Sequence, residues 1–413
     1  MHTWFTEVLY QTIKVFELLE ATHSAVQMWG TETSRNTQKK KKKKTSLSNQ
    51  ALLTMLVFQM FSLLLLICCL PRGGDTSPIS CYNDQGDATD WFYMYKLPKK
   101  HGTQSGLNYL LLDKGSTAWT PGQGSINDTT GALGRTLGQL YSQAKNAEVA
   151  YVLYNDQDPS GRNHRGGHTK GVVLLDRSQG FWLIHSTPAF PPMRQAEHYQ
   201  YPGSGATYGQ NYLCVTFPLE RFHTIGEQLQ INQPNVYDCD VPQSFATAAP
   251  ALAAVCKKGS PRVPATNRSV ALTSKGGSVF VSFAKGAAFN DDLYQLWVAP
   301  TLQSDLLVQF WIHSGGILPS NCSLGWKVLD VTQLSPGGVL TYNNSKDHSK
   351  WAVSPEPVAA GGGWICVADI NRNQAEEKRG GGALCQRDVA VWKAYRGAAL
   401  EYKPCQAGAQ PAN

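Results

Sequence analysis

Two short segments carry the same pair of reactive side chains. GHTKG, residues 167–171, and DHSKW, residues 347–351, each set a histidine two positions before a lysine: His168 with Lys170, and His348 with Lys350. In extended backbone, residues i and i+2 project to the same side, so each segment offers a titratable nitrogen beside a fixed cation. That pair suits a phosphodiester. The lysine neutralises non-bridging oxygens as charge builds, while the histidine attacks phosphorus or protonates the leaving oxygen. Two copies facing one pocket divide the work between a neutral imidazole as nucleophile, forming a phosphohistidine, and an imidazolium as general acid. The division calls for no metal and no cofactor. It requires that only one of two coupled histidines be protonated, and flanking lysines favour the neutral form, so an acidic optimum is expected. Solvated or structurally bonded histidines give the same spacing in a chain with 10 His, and the pattern alone does not separate the two.

The elements that must position these segments read as a mixture. Short apolar runs bounded by Gly, Pro, Asn and Asp recur at 91–97 (WFYMYKL), 149–154, 171–175, 181–186, 278–284 and 306–312, as strands do. DRSQG, residues 176–180, reads as a hairpin turn between two buried strands, with an edge in a parallel sheet as the alternative. Leu133, Leu137 and Leu140 fall on one face of a helix over 130–145, and 291–299 is a second helix candidate. The mixture indicates α/β or α+β with a substantial sheet.

Composition narrows the function classes. With 16% charged residues and 11 Trp, most of the 413-residue chain is expected to be globular. The net charge of +7 comes largely from the N-terminal 80 residues; beyond them 28 basic residues face 25 acidic ones, too slight a bias to be a nucleic-acid signature. Residues 1–50, including a run of six lysines at 39–44, are assigned no role. The apolar stretch 51–70 follows that basic run and precedes Pro71 and Arg72, the pattern of a secretory signal over 51–79, with an uncleaved membrane anchor as the competing reading. Beyond it lie Cys81, Cys214, Cys239, Cys256, Cys322, Cys366, Cys385 and Cys405, none in a C-x-x-C pair. Four disulfides in an oxidising compartment fit better than zinc or dithiol chemistry, and spacing leaves about 105 pairings open. Asn127, Asn267, Asn321 and Asn343 each begin a glycosylation sequon.

Outward from the two motifs, longer blocks carry a resemblance. CYNDQGDATDWFYMYKLPK from Cys81, AYVLYNDQ at 150–157, GHTKGVVLLDRSQGFWLIHSTPAFPP at 167–192, GILPSNCS at 316–323, DHSKWAVSP at 347–355 and WICVADINRNQAEEKRGGGALC at 364–385 closely resemble the deoxyribonuclease II family. The resemblance runs from Cys81 to Cys405. It implies an acid endonuclease of lysosomes that cuts double-stranded DNA without a divalent metal and leaves 3′-phosphate and 5′-hydroxyl ends. It also implies a phospholipase D-like fold in which two pseudo-symmetric halves, 80–240 and 241–413, each contribute one H-x-K motif. His168, Lys170, His348 and Lys350 take the catalytic roles, with His348 the one most securely tied to them. The general phospholipase D pattern has an aspartate five residues after the lysine; here Leu175 stands there and Asp176 follows. Disulfides Cys81–Cys214, Cys322–Cys405 and Cys366–Cys385 are implied, leaving Cys239 and Cys256 for each other. Where the family has a cysteine after the DHSKW tryptophan, this chain has Ala352.

In the last block Asn371, Glu376 and Glu377 are polar candidates for orienting a motif side chain, Asn371 being grouped with the catalytic residues. Arg379, heading RGGG, is a candidate phosphate ligand, with the glycine amides able to assist. His185, ending an apolar run, reads as a satisfied core histidine. The expected partner is double-stranded DNA held through its phosphates, with a membrane relevant only if the signal region stays uncleaved. Two other classes share these residues: a phosphodiesterase of the same fold acting on another substrate, and a catalytically silent glycoprotein that binds nucleic acid.

Overall fold

The computed structural model describes residues 77–405 except 101, 103, 104, 144, 145, 165, 258–264, 359 and 360. The lysine run and the apolar stretch at 51–70 lie outside the described residues.

Strands β1 (Cys81–Tyr82) and β2 (Ala88–Thr89) form a small ribbon. The first large sheet follows, built from β3 (Trp91–Lys96), β4 (Tyr109–Asp113), β5 (Thr120–Pro121), β6 (Ala150–Asn155), β7 (Lys170–Leu175), β8 (Gln179–His185), β9 (Gln210–Pro218) and β10 (Val236–Asp240). Its strand order is β10-β6-β7-β8-β9-β3-β4-β5, antiparallel throughout. The second sheet takes β11 (Asn267–Thr273), β12 (Val279–Lys285), β13 (Leu306–Gln309), β14 (Val328–Leu334), β15 (Tyr342–Asn343), β16 (Trp351–Val353), β17 (Trp364–Ala368), β18 (Gly381–Arg387) and β19 (Ala399–Tyr402). It is ordered β11-β12-β18-β17-β16-β13-β14-β15, with β19 on β14 and one parallel pair, β13 with β14.

Alternation along the strands sorts the core into layers. Trp91, Tyr93 and Tyr95 of β3 and Val152 and Tyr154 of β6 share one buried cluster with Trp351 and Val353 of β16 and Ile365 and Val367 of β17, so the two sheets meet face to face. The intervening residues Phe92, Met94, Leu153, Val172 and Leu174 face the other way, onto Leu133, Leu137 and Leu140 of α1 (Ala132–Ser142). On the far side of the second sheet, Val308, Ala352, Cys366 and Ala368 pack with Tyr294, Val298 and Leu302. The result is four layers, helix, sheet, sheet and helix, and both sheets are hydrophobic on both faces because each is covered twice. Asp176 closes the β7–β8 hairpin, its amide donating to the Gln179 carbonyl at 2.8 Å. The helix expected over 291–299 is present with shifted bounds, a π-helical stretch at Tyr294–Val298 running into an α-helical turn at Ala299–Leu302. Disulfides join Cys81 to Cys214, Cys239 to Cys256, Cys322 to Cys405 and Cys366 to Cys385.

Candidate active site

Both H-x-K segments lie at the entrance of strands, the first ending inside one and the second just ahead of one. Lys170 is the first residue of β7, and Lys350 immediately precedes β16. The reason is that the histidine backbones pair across the two sheets. The His168 amide donates to the Gly380 carbonyl at 2.8 Å, and the His348 amide donates to the Gly209 carbonyl at 2.9 Å.

Around DHSKW the two-residue period is kept. Asp347, Ser349 and Trp351 turn inward, where the Asp347 carboxylate accepts from Tyr95 and Tyr342 hydroxyls at 2.8 Å each and from the Ser349 amide at 2.7 Å. The Trp351 indole donates to Ser349 Oγ at 3.1 Å and Tyr95 Oη at 3.2 Å. His348 and Lys350 are thereby pushed to the opposite side. There His348 Nδ1 lies 2.9 Å from the Ser186 carbonyl and 3.3 Å from Gln210 Oε1. Lys350 Nζ donates to the His348 carbonyl at 2.8 Å and stands 3.1 and 3.2 Å from the two ring nitrogens. Near-equal distances put the ammonium against the ring rather than along either lone pair, so the contact is mainly one of charge. Asn211, at the start of β9, clamps the Lys350 backbone with both its amide groups.

The first motif is held from the second sheet. His168 Nδ1 is 2.6 Å from Glu376 Oε1, and its Nε2 is 3.7 Å from Asp156 Oδ2. Lys170 Nζ is ion-paired with Asp156 Oδ1. Glu376 rides on the one-turn helix Gln374–Glu377, which is fixed at both ends. Asn373 caps the N-terminal amides of Ala375 and Glu376, and buried Lys285 donates to the carbonyls of Glu376, Glu377 and Arg379 at 2.8–2.9 Å. Burial lowers Lys285 to about 8 despite nearby Glu376 and Asp292.

The electrostatics of the four motif groups follow from burial and crowding. His168 is held below its ordinary range by burial and by Lys170, with Asp156 and Glu376 opposing. His348 is pushed well below it by burial, then by Lys350, Lys170 and His168, and only the Ser186 carbonyl acts the other way. Lys350 is itself driven well down by burial and by Lys170. Burial would raise Asp156 and Glu376, yet the cations around them win and both stay low, Asp156 through Lys170 and His168, Glu376 through His168 and Arg379. The two motifs thus share one electrostatic pocket.

The remaining residues singled out in the sequence fall at varying distance from this chemistry. Asn371 is buried, and its side-chain oxygen accepts from the Trp311 amide at 3.3 Å, so it holds a tryptophan rather than a motif histidine. Arg379 reaches the pocket, 3.3 Å from Glu376 and 3.9 Å from Asp156. The glycines after it have packing duties instead: a Cβ on Gly380 would meet the Asn232 carbonyl at 2.0 Å and one on Gly382 the Phe283 carbonyl at 2.2 Å, while the Gly382 amide is taken by Asp369 at 3.0 Å. Glu377 is turned away from the pocket, lining a cavity of about 350 Å³ with Asp291, Asp292 and Arg372.

His185 departs from the reading as a satisfied core histidine. Its Nδ1 accepts from the Thr187 amide at 3.2 Å, but Nε2 is buried without a partner, and burial, then Lys170, take the ring down to about 3. It stands between the two motif lysines electrostatically, since Lys350 bears on it as well. Asp156 was not signalled at all; it sits in an ordinary YNDQ stretch, and only the fold carries it to Lys170. Asn127 and Asn343 are exposed, and Asn267 and Asn321 are half-buried. Among the described residues no group of three or more His, Cys, Asp or Glu side chains is arranged to hold a metal ion, and no helix is long and apolar enough to cross a membrane.

Comparison with known proteins agrees with the earlier resemblance. The family profile described as Deoxyribonuclease II matches residues 80–405. Deoxyribonuclease-2-alpha of Sus scrofa is 48% identical over 339 residues, 79% of this chain and 91% of the relative. Deoxyribonuclease-2-alpha of Mus musculus is 46% identical, over 80% of this chain and 94% of the relative, and deoxyribonuclease-2-beta of Homo sapiens is 37% identical, over 79% and 92%. The chain belongs to the deoxyribonuclease II family.

Proposed function

We propose that this member of the deoxyribonuclease II family is an acid endonuclease that hydrolyses double-stranded DNA to 3′-phosphate and 5′-hydroxyl ends through its paired H-x-K motifs. One observation carries the reading: each motif histidine is seated by the opposite sheet's residues, His168 by Gly380 and Glu376, His348 by Gly209 and Ser186. Neither half makes a working site alone, which supports reading 80–240 and 241–413 as two halves of a phospholipase D-like fold.

The asymmetry of the two seats divides the roles. A carboxylate on Nδ1 of His168 fixes the tautomer with Nε2 free to attack and stabilises positive charge on the ring as the bond to phosphorus forms. His348 has only a carbonyl and an amide oxygen at Nδ1, with Lys350 against its ring, which makes its protonated form a ready donor. In the first step His168 Nε2 bonds to phosphorus, the bond to the 5′-oxygen breaks, and that oxygen takes the Nε2 proton of His348. In the second, water attacks phosphorus, His348 takes a proton from it, and the phosphorus–nitrogen bond breaks to leave the 3′-phosphate. Lys170, Lys350 and Arg379 neutralise the non-bridging oxygens. Both histidines are hard to protonate in the free protein, so the acid form of His348 is gathered only as pH falls below about 6.5, and activity rises in the same direction.

A lysosomal location reached through the secretory pathway fits this acid requirement, the four disulfides and the sequons at Asn127, Asn267, Asn321 and Asn343. The decisive test is nicking of supercoiled plasmid by the full chain at pH 5 and pH 7.5 with a chelator present, beside His168→Ala and His348→Ala. Cleavage confined to acid and reduced roughly 10²–10⁴-fold in each variant is expected. Cleavage abolished by the chelator would sink the mechanism, and an inactive parent would move the reading to another substrate or to binding alone.

A further inference from the structure

An aromatic cluster lies against His348 that the chemistry above leaves unused. The Trp311 ring meets the His348 ring edge-on with centroids 4.9 Å apart, Tyr208 at 4.7 Å and His313 at 4.4 Å. Trp311 follows Phe310, which is buried in the outer core of the second sheet, and precedes Ile312, which packs against it. Trp311 itself is half-buried, and its neighbour His313 is exposed. A large apolar ring left part-open beside a catalytic imidazole has contact area to offer a ligand.

The cluster is also held rigid. Asn371 fixes the Trp311 amide, and the His313 ring is bonded to the Ser345 carbonyl at 2.9 Å. Buried Lys96 ties down the other side, donating to the carbonyls of Ala206, at 3.1 Å, and Tyr208. The residue after Tyr208 is Gly209, whose carbonyl receives the His348 amide. The residue flanking Trp311 and the carbonyl that seats His348 thus belong to adjacent positions of one loop, Tyr208 and Gly209.

We propose that Trp311, flanked by Tyr208 and His313, is a stacking platform for one nucleobase of the DNA, that of the nucleotide carrying the departing 5′-oxygen. The proposal rests on the reading above, in which His348 protonates that oxygen; a ring touching His348 is placed next to the nucleotide 3′ of the cut. Every base has a π-face, so such a platform adds affinity without reading sequence. A base inside a duplex has no free face, so the nucleotide must unstack to reach it. Asn371 then acts as a positioning residue for the platform.

The test is a cycle between protein and substrate at pH 5. A duplex with one tetrahydrofuran abasic residue is cleaved by the parent and by Trp311→Ala, and rates are read linkage by linkage on a sequencing gel. At intact linkages the variant is expected to be slower by about 10-fold or more. At the linkage just 5′ of the abasic residue, parent and variant should cut at the same rate, because no base is present to stack. Any change in duplex stiffness at the lesion affects both proteins alike and cancels in the ratio. Trp311→Phe, which keeps a face, should recover most of the loss. An equal deficit at intact and abasic linkages would overturn the platform and leave Trp311 as support for His348. Failure of the endonuclease reading would show differently, as acid cleavage that survives His348→Ala or is missing in the parent.

Discussion

Asp369→Asn should make the protein less dependent on acid for its stability. Asp369 follows β17, is 5% exposed, and accepts the Gly382 amide at 3.0 Å. Burial is the main cause that raises its carboxyl from 3.8 to about 7, against the Gly382 amide and Lys170 and with Asp156 adding to the rise. A raised carboxyl stabilises the fold fully below the unfolded value and loses that contribution as pH climbs to the folded one, because over that window the native state alone holds the proton. Each pH decade is worth ~1.4 kcal/mol while the native state alone holds the proton, and less near the folded value, so from pH 5 to pH 7 the parent should lose ~2 kcal/mol that the asparagine, with the same acceptor and no charge, does not. His168, His348 and His185 slope the other way, since their lowered values favour the neutral form and cost stability as pH falls below the unfolded value. The comparison is therefore variant minus parent at each pH, in which the histidine contributions cancel. Urea unfolding at pH 5, 6 and 7, disulfides intact, should show the variant gaining on the parent as pH rises. A gap that stays constant across the three would refute the assignment of a protonated, buried carboxyl.

Two further changes probe the pocket. Glu376→Gln keeps the contact to His168 Nδ1 but removes the charge, so His168 should become harder to protonate and a weaker nucleophile; kcat should fall at least ~10-fold and the acid limb of kcat/KM move to lower pH, an opposite charge this close being worth about 1–3 pKa units. An unmoved acid limb would contradict the tautomer argument. Asp156 holds a carboxylate among Lys170, His168 and Arg379, where a phosphate must come. Asp156→Asn should tighten inhibition by inorganic phosphate roughly 10-fold, on the scale of a hydrogen bond to a charged group, and lower KM for DNA; a collapsed kcat with phosphate affinity unchanged would instead make Asp156 a holder of Lys170.

Much of the scaffold could be read in advance because strand alternation is local. The run WFYMYKL became β3 with odd positions on the inter-sheet core and even positions on the helix side, and DRSQG closed the hairpin after the first motif. The 130–145 helix was found two residues shorter at its start and three at its end, at Ala132–Ser142. The π-turn at Tyr294–Val298 has no such signature, since its apolar spacing is close to that of an ordinary helix.

The partners that make the site work were not local, and that is why the sequence held them back. Glu376 stands 208 residues from the histidine it orients, and Ser186 stands 162 from the other. Glu376 drew notice only as a polar residue in a matching block, Asp156 not at all. His185 shows the same limit from the other side: an imidazole at the end of a buried strand looks structural until the fold leaves its Nε2 without a partner and sets both motif lysines, Lys170 before Lys350, against its protonation. The H-x-K spacing states what chemistry is possible, but the exchange of seats between sheets decides that the two histidines differ. A symmetric pair would share one proton evenly; here a carboxylate on one Nδ1 and a carbonyl on the other break the tie, and the proposed division into nucleophile and acid rests on that difference.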